Sequence, residues 1–280
     1  NIHLEEARAL RQLEKIGLFM IGQSAAICPA DKKLYALRDV TGTVPSPPLI
    51  VASIMSKKLA ENLDRLVLDV KYGSGAFMKT RAEAAQLAEA MTSVGREMQV
   101  DTSRLLSSMD EPLGRAVGNA LEVAEAVATL QGNGPSDLVE LTLDLGAKVA
   151  NVSRAELAAW LRDGRAWEKF VALVEAQEGD ASALEKIAAI HPAPIVRPWP
   201  APRAGVIKTM DAGKIGRAAL FLGAGRARAD DEIDFAVGFS QIRKAGETVA
   251  PNDPLLQVHA RTEHDLASIW PLLAQAAVIE

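Results

Sequence analysis

The spacing of apolar and polar residues changes along the chain. Residues 4–17, 79–98 and 136–178 repeat apolar positions every three or four residues, which predicts amphipathic helices. Two shorter apolar runs with β-branched residues, 65–71 (RLVLDVK) and 99–108 (QVDTSRLLSS), predict strands. The last part, in contrast, consists of short apolar runs punctuated by Gly, Pro, Asp and Asn. This later pattern predicts a small β-rich unit with one or two helices.

These patterns predict an α/β fold with a mixed sheet flanked by helices, followed by a small α+β domain. We expect an α/β domain over residues 1–187, in which residues 30–60 belong to a helical subdomain. The proline-rich run HPAPIVRPWPAP should be extended, and it predicts a linker over residues 188–202. The C-terminal α+β domain then covers residues 203–280.

The first 28 residues predict a helix followed by a strand. The helix over residues 4–17 should turn Leu10, Leu13 and Ile16 inward and stop at Gly17. The run LFMIGQSAAIC, residues 18–28, predicts the strand and its exit.

The run PADKKLYALRDVTGTVPSPPLIVASIMSKKLAE, residues 29–61, contains a predicted helix that combines apolar and charged residues. Its body LIVASIMSKKLA is apolar on nearly every side, so we expect the helix to be buried. The i, i+3, i+4, i+7 rule places Ile50, Ser53, Ile54 and Lys57 on one face. This face combines apolar walls with a hydroxyl and an ammonium, which suits a small planar polar ligand.

The same residues also admit a purely structural interpretation. Lys57 and Lys58 stand at the end of the helix, where they can extend to water and interact favourably with the helix dipole. The spacing by itself leaves both interpretations open.

Composition excludes several classes of function. Apolar residues make up 49% of the 280 residues, enough for a sizeable core, and the net charge of −5 gives no basic surface for nucleic acid. Because Cys28 is the single cysteine, the chain can form neither an internal disulfide nor a multi-cysteine metal site. No run of the sequence is long and apolar enough to span a membrane.

The sequence LYALRDVTGTVPSPPLIVASIMSKKLAE, together with LVLDVKYGSGAFM, resembles the signature of the thymidine and pyrimidine nucleoside phosphorylases, thymidine phosphorylase most closely. The resemblance implies a nucleoside phosphorylase or phosphoribosyltransferase-like α/β fold, with a C-terminal barrel-sandwich unit. It implies reversible phosphorolysis of thymidine to thymine and 2-deoxyribose 1-phosphate in pyrimidine salvage. It also implies phosphate as co-substrate, no organic cofactor, a cytoplasmic homodimer, and neither a nucleic-acid nor a membrane partner.

The resemblance assigns a pyrimidine-binding site to six positions. Two of them, Arg38 and Lys57, supply positive charge to the leaving base and are the implied catalytic residues. The full implied substrate site is Arg38, Ser53, Lys57, Ile50, Val44 and Phe77.

The glycine-rich run GSGAF has two interpretations. It lies between a predicted strand and a predicted helix, as a phosphate-binding loop would, but a tight turn fits the same pattern. The resemblance favours a third role, in which Phe77 forms an aromatic wall of the pyrimidine pocket.

The run EPLGRAVGNALEVAEAV resembles the potassium-binding segment of the family. By position, the implied ligands are the backbone carbonyls of Leu113 and Ala116 and the carboxylate of Glu125. A hard monovalent cation prefers such oxygen ligands, as hard divalent ions do. An ordinary loop followed by a surface glutamate explains the same residues.

The family also carries an earlier glycine-rich segment with Lys and Ser that binds phosphate, and this sequence contains none. We therefore expect the chain to be the later part of a larger enzyme. Two alternatives stay open: a non-catalytic fragment that only binds a base or dimerises, and a related phosphoribosyltransferase. The β-rich C-terminal unit argues against the latter.

Overall fold

The computed structural model describes residues 1–22, 28–226, 228 and 231–280. The helices are α1 (Glu6–Ile16), α2 (Pro29–Thr41), α3 (Pro47–Ala60), α4 (Arg81–Glu97), α5 (Asn119–Leu130), α6 (Ser136–Ala150), α7 (Arg154–Arg162), α8 (Arg165–Ala176), α9 (Ile187–Ile190), α10 (Ala212–Leu222) and α11 (Glu263–Leu273). The strands are β1 (Arg65–Tyr72), β2 (Asp101–Ser108), β3 (Ile195–Pro200), β4 (Gly205–Met210), β5 (Gly238–Ser240), β6 (Thr248–Val249), β7 (Pro254–Ala260) and β8 (Ala277–Ile279).

The first layered unit is built on β1 and β2, which pair in parallel from Arg65↔Asp101 to Tyr72↔Ser108. Alternate residues of β1 point into a core shared with α3 and α4, as the period of a strand requires. A capping box at Thr80 and Glu83 starts α4. The predicted strands over 65–71 and 99–108 and the predicted helix over 79–98 are therefore confirmed.

The second unit contains two antiparallel sheets, ordered β3-β7-β5 and β6-β4-β8, with α10 and α11 beside them. Its core is more completely buried than the core of the first unit. Large residues such as Ile207, Phe239 and Leu256 have no exposed surface. The α/β class with a small α+β C-terminal unit is confirmed. Every helix in the described ranges is too short or too polar to cross a lipid bilayer.

The segment 188–202, predicted as a linker, is largely integrated into this second unit. Its central residues form β3 and pair antiparallel with β7 from Ile195↔Ala260 onward. Strand β3 can contain Pro198 and Pro200 because it lies at the edge of its sheet. An edge strand has a neighbour on one side only, so a residue without a backbone N–H is tolerated there.

Two details of the first 28 residues differ from prediction. Helix α1 ends at Gly17 as expected, but Ala9 and Gln12 are its buried residues, whereas Leu10 and Leu13 are exposed. The inward face is shifted because buried Gln177, next to α8, binds Gln12 and the backbone of Met20. Residues 18–22 form no strand, and residues 23–27 of the predicted strand lie outside the described residues.

A close approach of two backbones joins the two units. Val117 and Phe239 form an antiparallel bridge with hydrogen bonds of 2.9 and 2.7 Å. Gly118 and Gly238 make this possible, because a Cβ on Gly238 would lie 2.1 Å from the Val117 carbonyl oxygen. Gly238 also has φ +143°, a conformation that other residues rarely adopt.

We predict that Gly238→Ala lowers the free energy of unfolding by about 2 kcal/mol or more, since it adds both backbone strain and a clash with main-chain atoms. Urea denaturation would measure the change. Gly216→Ala is the control, because Gly216 lies within α10 and a Cβ there meets nothing within 4 Å. Equal stability of the two variants would contradict the prediction.

Candidate functional site

Helices α2 and α3 bring three polar side chains together. The Lys57 ammonium donates to the Asp31 carboxylate over 2.6 Å and to the Ser53 hydroxyl over 3.0 Å. Ser53 is buried, and the Asp31 side chain is only 10% exposed. Lys57 is thus held in a fixed position by two partners.

The charge on Asp31 is stabilised by its surroundings. Burial would raise the pKa of the Asp31 carboxyl, but hydrogen bonds from Lys57 and Ser53 outweigh burial, and the positive charges of Lys57 and Arg38 add to their effect. The pKa therefore lies below its ordinary value of 3.8. An ionised Asp31 holds the Lys57 ammonium in one orientation through their hydrogen bond.

Arg38 lies beside this group, and its guanidinium forms hydrogen bonds with the protein backbone. Its guanidinium donates to the backbone carbonyls of Val44 and Leu49, the latter over 3.1 Å, and lies 5.3 Å from the centre of the Tyr35 ring. Arg38 is buried, and its Nε has no partner among the described residues.

The interpretation that the lysines at the end of α3 simply extend to water fits Lys58 but not Lys57. Lys58 pairs with Glu61 at the surface over 2.7 Å, as a helix-end lysine would. Lys57, one residue earlier, turns toward Asp31 and Ser53 instead. The direction of the helix face, and not proximity to its end, decides what each lysine contacts.

Two of the three predicted apolar residues, Ile50 and Phe77, lie at a neighbouring cavity of about 510 Å³. Ile50 and Ile54 of α3 form one side, and Phe77 forms another. Phe77 is 62% exposed. Val44 is half-buried, and its carbonyl accepts from Arg38.

The structure thus places the six predicted residues in two adjacent groups. Arg38, Ser53 and Lys57 gather around Asp31, with Val44 touching Arg38, whereas Ile50 and Phe77 line the cavity. Helix α3 connects the groups, since it carries both Ile50 and Lys57.

Sequence reasoning missed three polar residues of the site. Asp31 was visible only as an acid within a basic run, with nothing to show its partner. Asp69 and Lys71 line the cavity and form an ion pair of 2.7 Å, and Lys71 also donates to Ser107 over 2.9 Å. Alternation along β1 was the available signal, because Asp69 and Lys71 alternate with core residues.

The glycine run 73–75 forms a tight turn. The Ser74 amide, which a phosphate-binding loop would offer to an anion, donates to the Asp110 carboxylate over 3.0 Å. Gly73 has φ +118°, and a Cβ there would lie 2.5 Å from Asp110. Of the two structural alternatives, the turn describes this loop and the phosphate cradle does not.

The segment with the implied potassium ligands forms a compact loop over Glu125. The Glu125 carboxylate accepts from the amides of Arg115, over 2.8 Å, and Ala116. Burial raises the pKa of Glu125, and the charge of Asp137 adds to the rise, whereas the two amides and Lys244 oppose it. Leu113 is exposed and Ala116 is buried.

A lysine from the second unit reaches this loop. The Lys244 ammonium donates to the Pro112 carbonyl and, over 2.8 Å, to Asp137. Burial would raise the pKa of Asp137, but the hydrogen bond and charge of Lys244 lower it overall. No group of three or more His, Cys, Asp or Glu side chains in the described part of the chain has metal-binding geometry.

Two family descriptions match the chain. Residues 1–167 match the "Glycosyl transferase family, a/b domain", and residues 206–280 match the "Pyrimidine nucleoside phosphorylase C-terminal domain". The matched ranges correspond to the helical and parallel-strand part and to most of the antiparallel part.

Curated relatives agree with both matches. A pyrimidine-nucleoside phosphorylase of Bacillus subtilis (strain 168) is 45% identical over 273 residues, which is 94% of this chain and 63% of the relative. Those of Staphylococcus haemolyticus (strain JCSC1435) and Staphylococcus aureus (strain USA300) are 44% and 42% identical, with the same coverage. The chain therefore spans 63% of the length of these relatives, and the resemblance in its sequence is confirmed.

We predict that Asp31→Asn lowers the free energy of unfolding at neutral pH by about 1–3 kcal/mol, because it leaves Lys57 without its charged partner. Since the pKa of Asp31 is lower in the folded state, its contribution is present above about pH 4 and is lost as the pH falls further. Urea denaturation at neutral and acidic pH would show a smaller acid-side loss in the variant. Glu61→Gln, which removes the exposed partner of Lys58, should change stability by less than about 0.5 kcal/mol, and equal effects of the two variants would refute the prediction.

Proposed function

The chain belongs to the glycosyl transferase family by its a/b domain, and on that premise we propose that it forms the base-binding part of a pyrimidine-nucleoside phosphorylase. In the reversible reaction, the bond between the sugar C1′ and the pyrimidine N1 breaks while a phosphate oxygen bonds to C1′. The base leaves as an anion and takes up a proton. Thymidine would give thymine and 2-deoxyribose 1-phosphate.

The observation that carries the proposal is the arrangement of Lys57 and Arg38 beside Ser53. The leaving pyrimidine spreads its growing negative charge over its carbonyl oxygens. Donors already fixed at those oxygens stabilise the transition state more than the ground state, which lowers the barrier. Lys57 supplies a point charge oriented by Asp31, and Arg38 supplies a permanently charged group.

The apolar residues complete this proposed site. Ile50, Val44 and Phe77 would cover the faces of the pyrimidine ring, and the exposed Phe77 side chain has a surface available for this contact. An apolar slot with a few fixed donors both orients the base and keeps water from its carbonyl oxygens.

The phosphate co-substrate requires ligands that we do not assign to this chain. The resemblance places them in an earlier glycine-rich segment, and the chain spans only 63% of its relatives. The match of residues 206–280 to a phosphorylase C-terminal domain favours phosphorolysis over phosphoribosyl transfer. The homodimer, the cytoplasmic location and the preference between thymidine and uridine stay predictions.

We predict that Lys57→Ala in the full-length protein lowers kcat/KM for thymidine about 10²–10³-fold, because it removes one donor to the leaving base. Release of free thymine and uracil from their nucleosides, with and without phosphate, would measure the effect. Lys58→Ala is the matched control, since Lys58 is the neighbouring lysine and pairs only at the surface.

Three outcomes separate the alternatives. Phosphate-dependent release that is lost with Lys57→Ala and kept with Lys58→Ala supports the proposal. Unchanged kcat/KM in Lys57→Ala contradicts the assigned role of Lys57. No release by the full-length wild type would contradict phosphorolysis and favour the non-catalytic, base-binding alternative.

We also propose that the loop over Glu125 can hold a potassium ion. Glu125 is a half-buried carboxylate whose pKa is raised by burial and by the charge of Asp137, and a cation beside it would offset that unfavourable negative charge. The carbonyls of Leu113 and Ala116 and the carboxylate of Glu125 are the oxygen donors that a hard cation prefers. The ion would supply a fixed positive charge that keeps this loop in one conformation.

We predict that potassium stabilises the wild type and not Glu125→Gln. The expected gain is about 1.4 kcal/mol at a potassium concentration near ten times Kd. Without potassium, the variant should be at least as stable as the wild type at neutral pH, because a carboxyl with a raised pKa is a cost when ionised. Thermal unfolding in potassium chloride and in tetramethylammonium chloride would test this, with Glu140→Gln, an exposed change on α6, as control. Equal potassium stabilisation in Glu125→Gln would refute the site.

A further inference from the structure

The loop that carries Phe77 is held from one side by the residues after β2. Gly75 donates its amide to the Met109 carbonyl over 3.0 Å, and Ser74 donates its amide to the Asp110 carboxylate. Residues 73–77 therefore follow the position of residues 109–110 rather than moving independently.

The second unit touches the same two segments. The Asp110 carbonyl accepts from the Ser74 hydroxyl over 3.1 Å and from the Ala212 amide over 2.9 Å. One oxygen thus connects the Phe77 loop with the first turn of α10. Asp211 caps that turn by accepting from the Lys214 amide over 3.0 Å.

The contact between α10 and the loop leaves no space for an additional atom. A Cβ on Gly213 would lie 2.7 Å from the Ser74 carbonyl oxygen, and a Cβ on Gly75 would lie 3.0 Å from the Cβ of Ala212. The Ser74 carbonyl cannot move away freely, because Lys79 donates to it over 3.1 Å on the loop itself. Two backbones are in direct contact here, so displacement of one must displace the other.

Phe77 is tied to this loop through its backbone neighbours, because the Ala76 amide donates to the Gly73 carbonyl over 3.1 Å and the Met78 carbonyl accepts from the Gly73 amide over 3.0 Å. Its side chain is 62% exposed, and it follows Gly75 by two residues. We propose that the first turn of α10, through Ala212 and Gly213, is a positioning surface that sets where Phe77 stands in the pyrimidine site. This inference rests on the proposed function for the role of Phe77, and it gives the C-terminal unit a part in base binding.

The test compares Gly213→Ala with Gly216→Ala in the full-length protein. Both changes place the same methyl group in α10, but a Cβ on Gly216 meets nothing within 4 Å. Labelling with 4-fluorophenylalanine reports on Phe77 directly, and the Phe77 resonance is identified by its loss in Phe77→Leu. Titration with thymine then gives Kd, and kinetics with thymidine give KM and kcat.

We expect Gly213→Ala to shift the fluorine resonance of Phe77 and to raise both Kd for thymine and KM by about tenfold, the worth of one displaced apolar wall. The value of kcat should change much less, because Phe77 contacts ground state and transition state alike. Gly216→Ala should change none of these. A general loss of folding would instead move the resonances of distant residues such as Phe170.

A second variant keeps the proposal testable if Gly213→Ala does not fold. Asp211→Ala removes the cap of α10 without adding volume, and we expect a smaller shift of the same Phe77 resonance. The proposal is overturned if Gly213→Ala and Gly216→Ala give the same Phe77 resonance, or the same Kd and KM. If the wild type neither binds thymine nor cleaves thymidine, the proposed function fails, and the fluorine comparison still decides whether α10 positions Phe77.

Discussion

The close contact between residues 108–118 and the C-terminal unit is the constraint on which the rest of the structure depends. It is a contact between backbones: Val117 pairs with Phe239, and Asp110 accepts from Ala212. Such contacts exclude side chains, so they require glycine at Gly118 and Gly238. Because this segment leaves the end of β2 and leads to α5, it links the parallel strands, the Phe77 loop and the loop over Glu125 to one fixed surface.

The polar part of the candidate site follows a different principle. Removing a carboxylate from water is costly unless it is paired, and the half-buried Lys57 is the partner that stabilises the nearly buried Asp31 and is oriented by it. Arg38 meets the same requirement with the backbone carbonyls of Val44 and Leu49. Burial thus serves the chemistry proposed here: charges kept out of water act more strongly on a leaving anion.

Much of the fold was readable from local patterns. The strands over 65–71 and 99–108 and the capped helix that follows the first of them are encoded within a few residues of each position. Exceptions arose where the local pattern was ambiguous. The leucine face of α1 is exposed because Gln177, far along the chain, binds the opposite side. The glycine run fitted both a phosphate loop and a turn. The structure shows the turn, because the Ser74 amide donates to the Asp110 carboxylate.

The sequence by itself determined most of the helices and both parallel strands, the α/β class with its α+β C-terminal unit, the family, and the helix face that carries Ser53 and Lys57. Only the tertiary structure decided which groups meet: Asp31 with Lys57, Ile50 with Phe77 at the cavity, and Lys244 with Asp137, which are 107 residues apart. The physical reason is the separation along the sequence between the residues that interact. Side-chain periodicity and helix capping involve residues within one or two helical turns, so neighbouring residues in the sequence reveal them. A charge pair between distant segments depends on the path of the whole chain, and no short pattern records it.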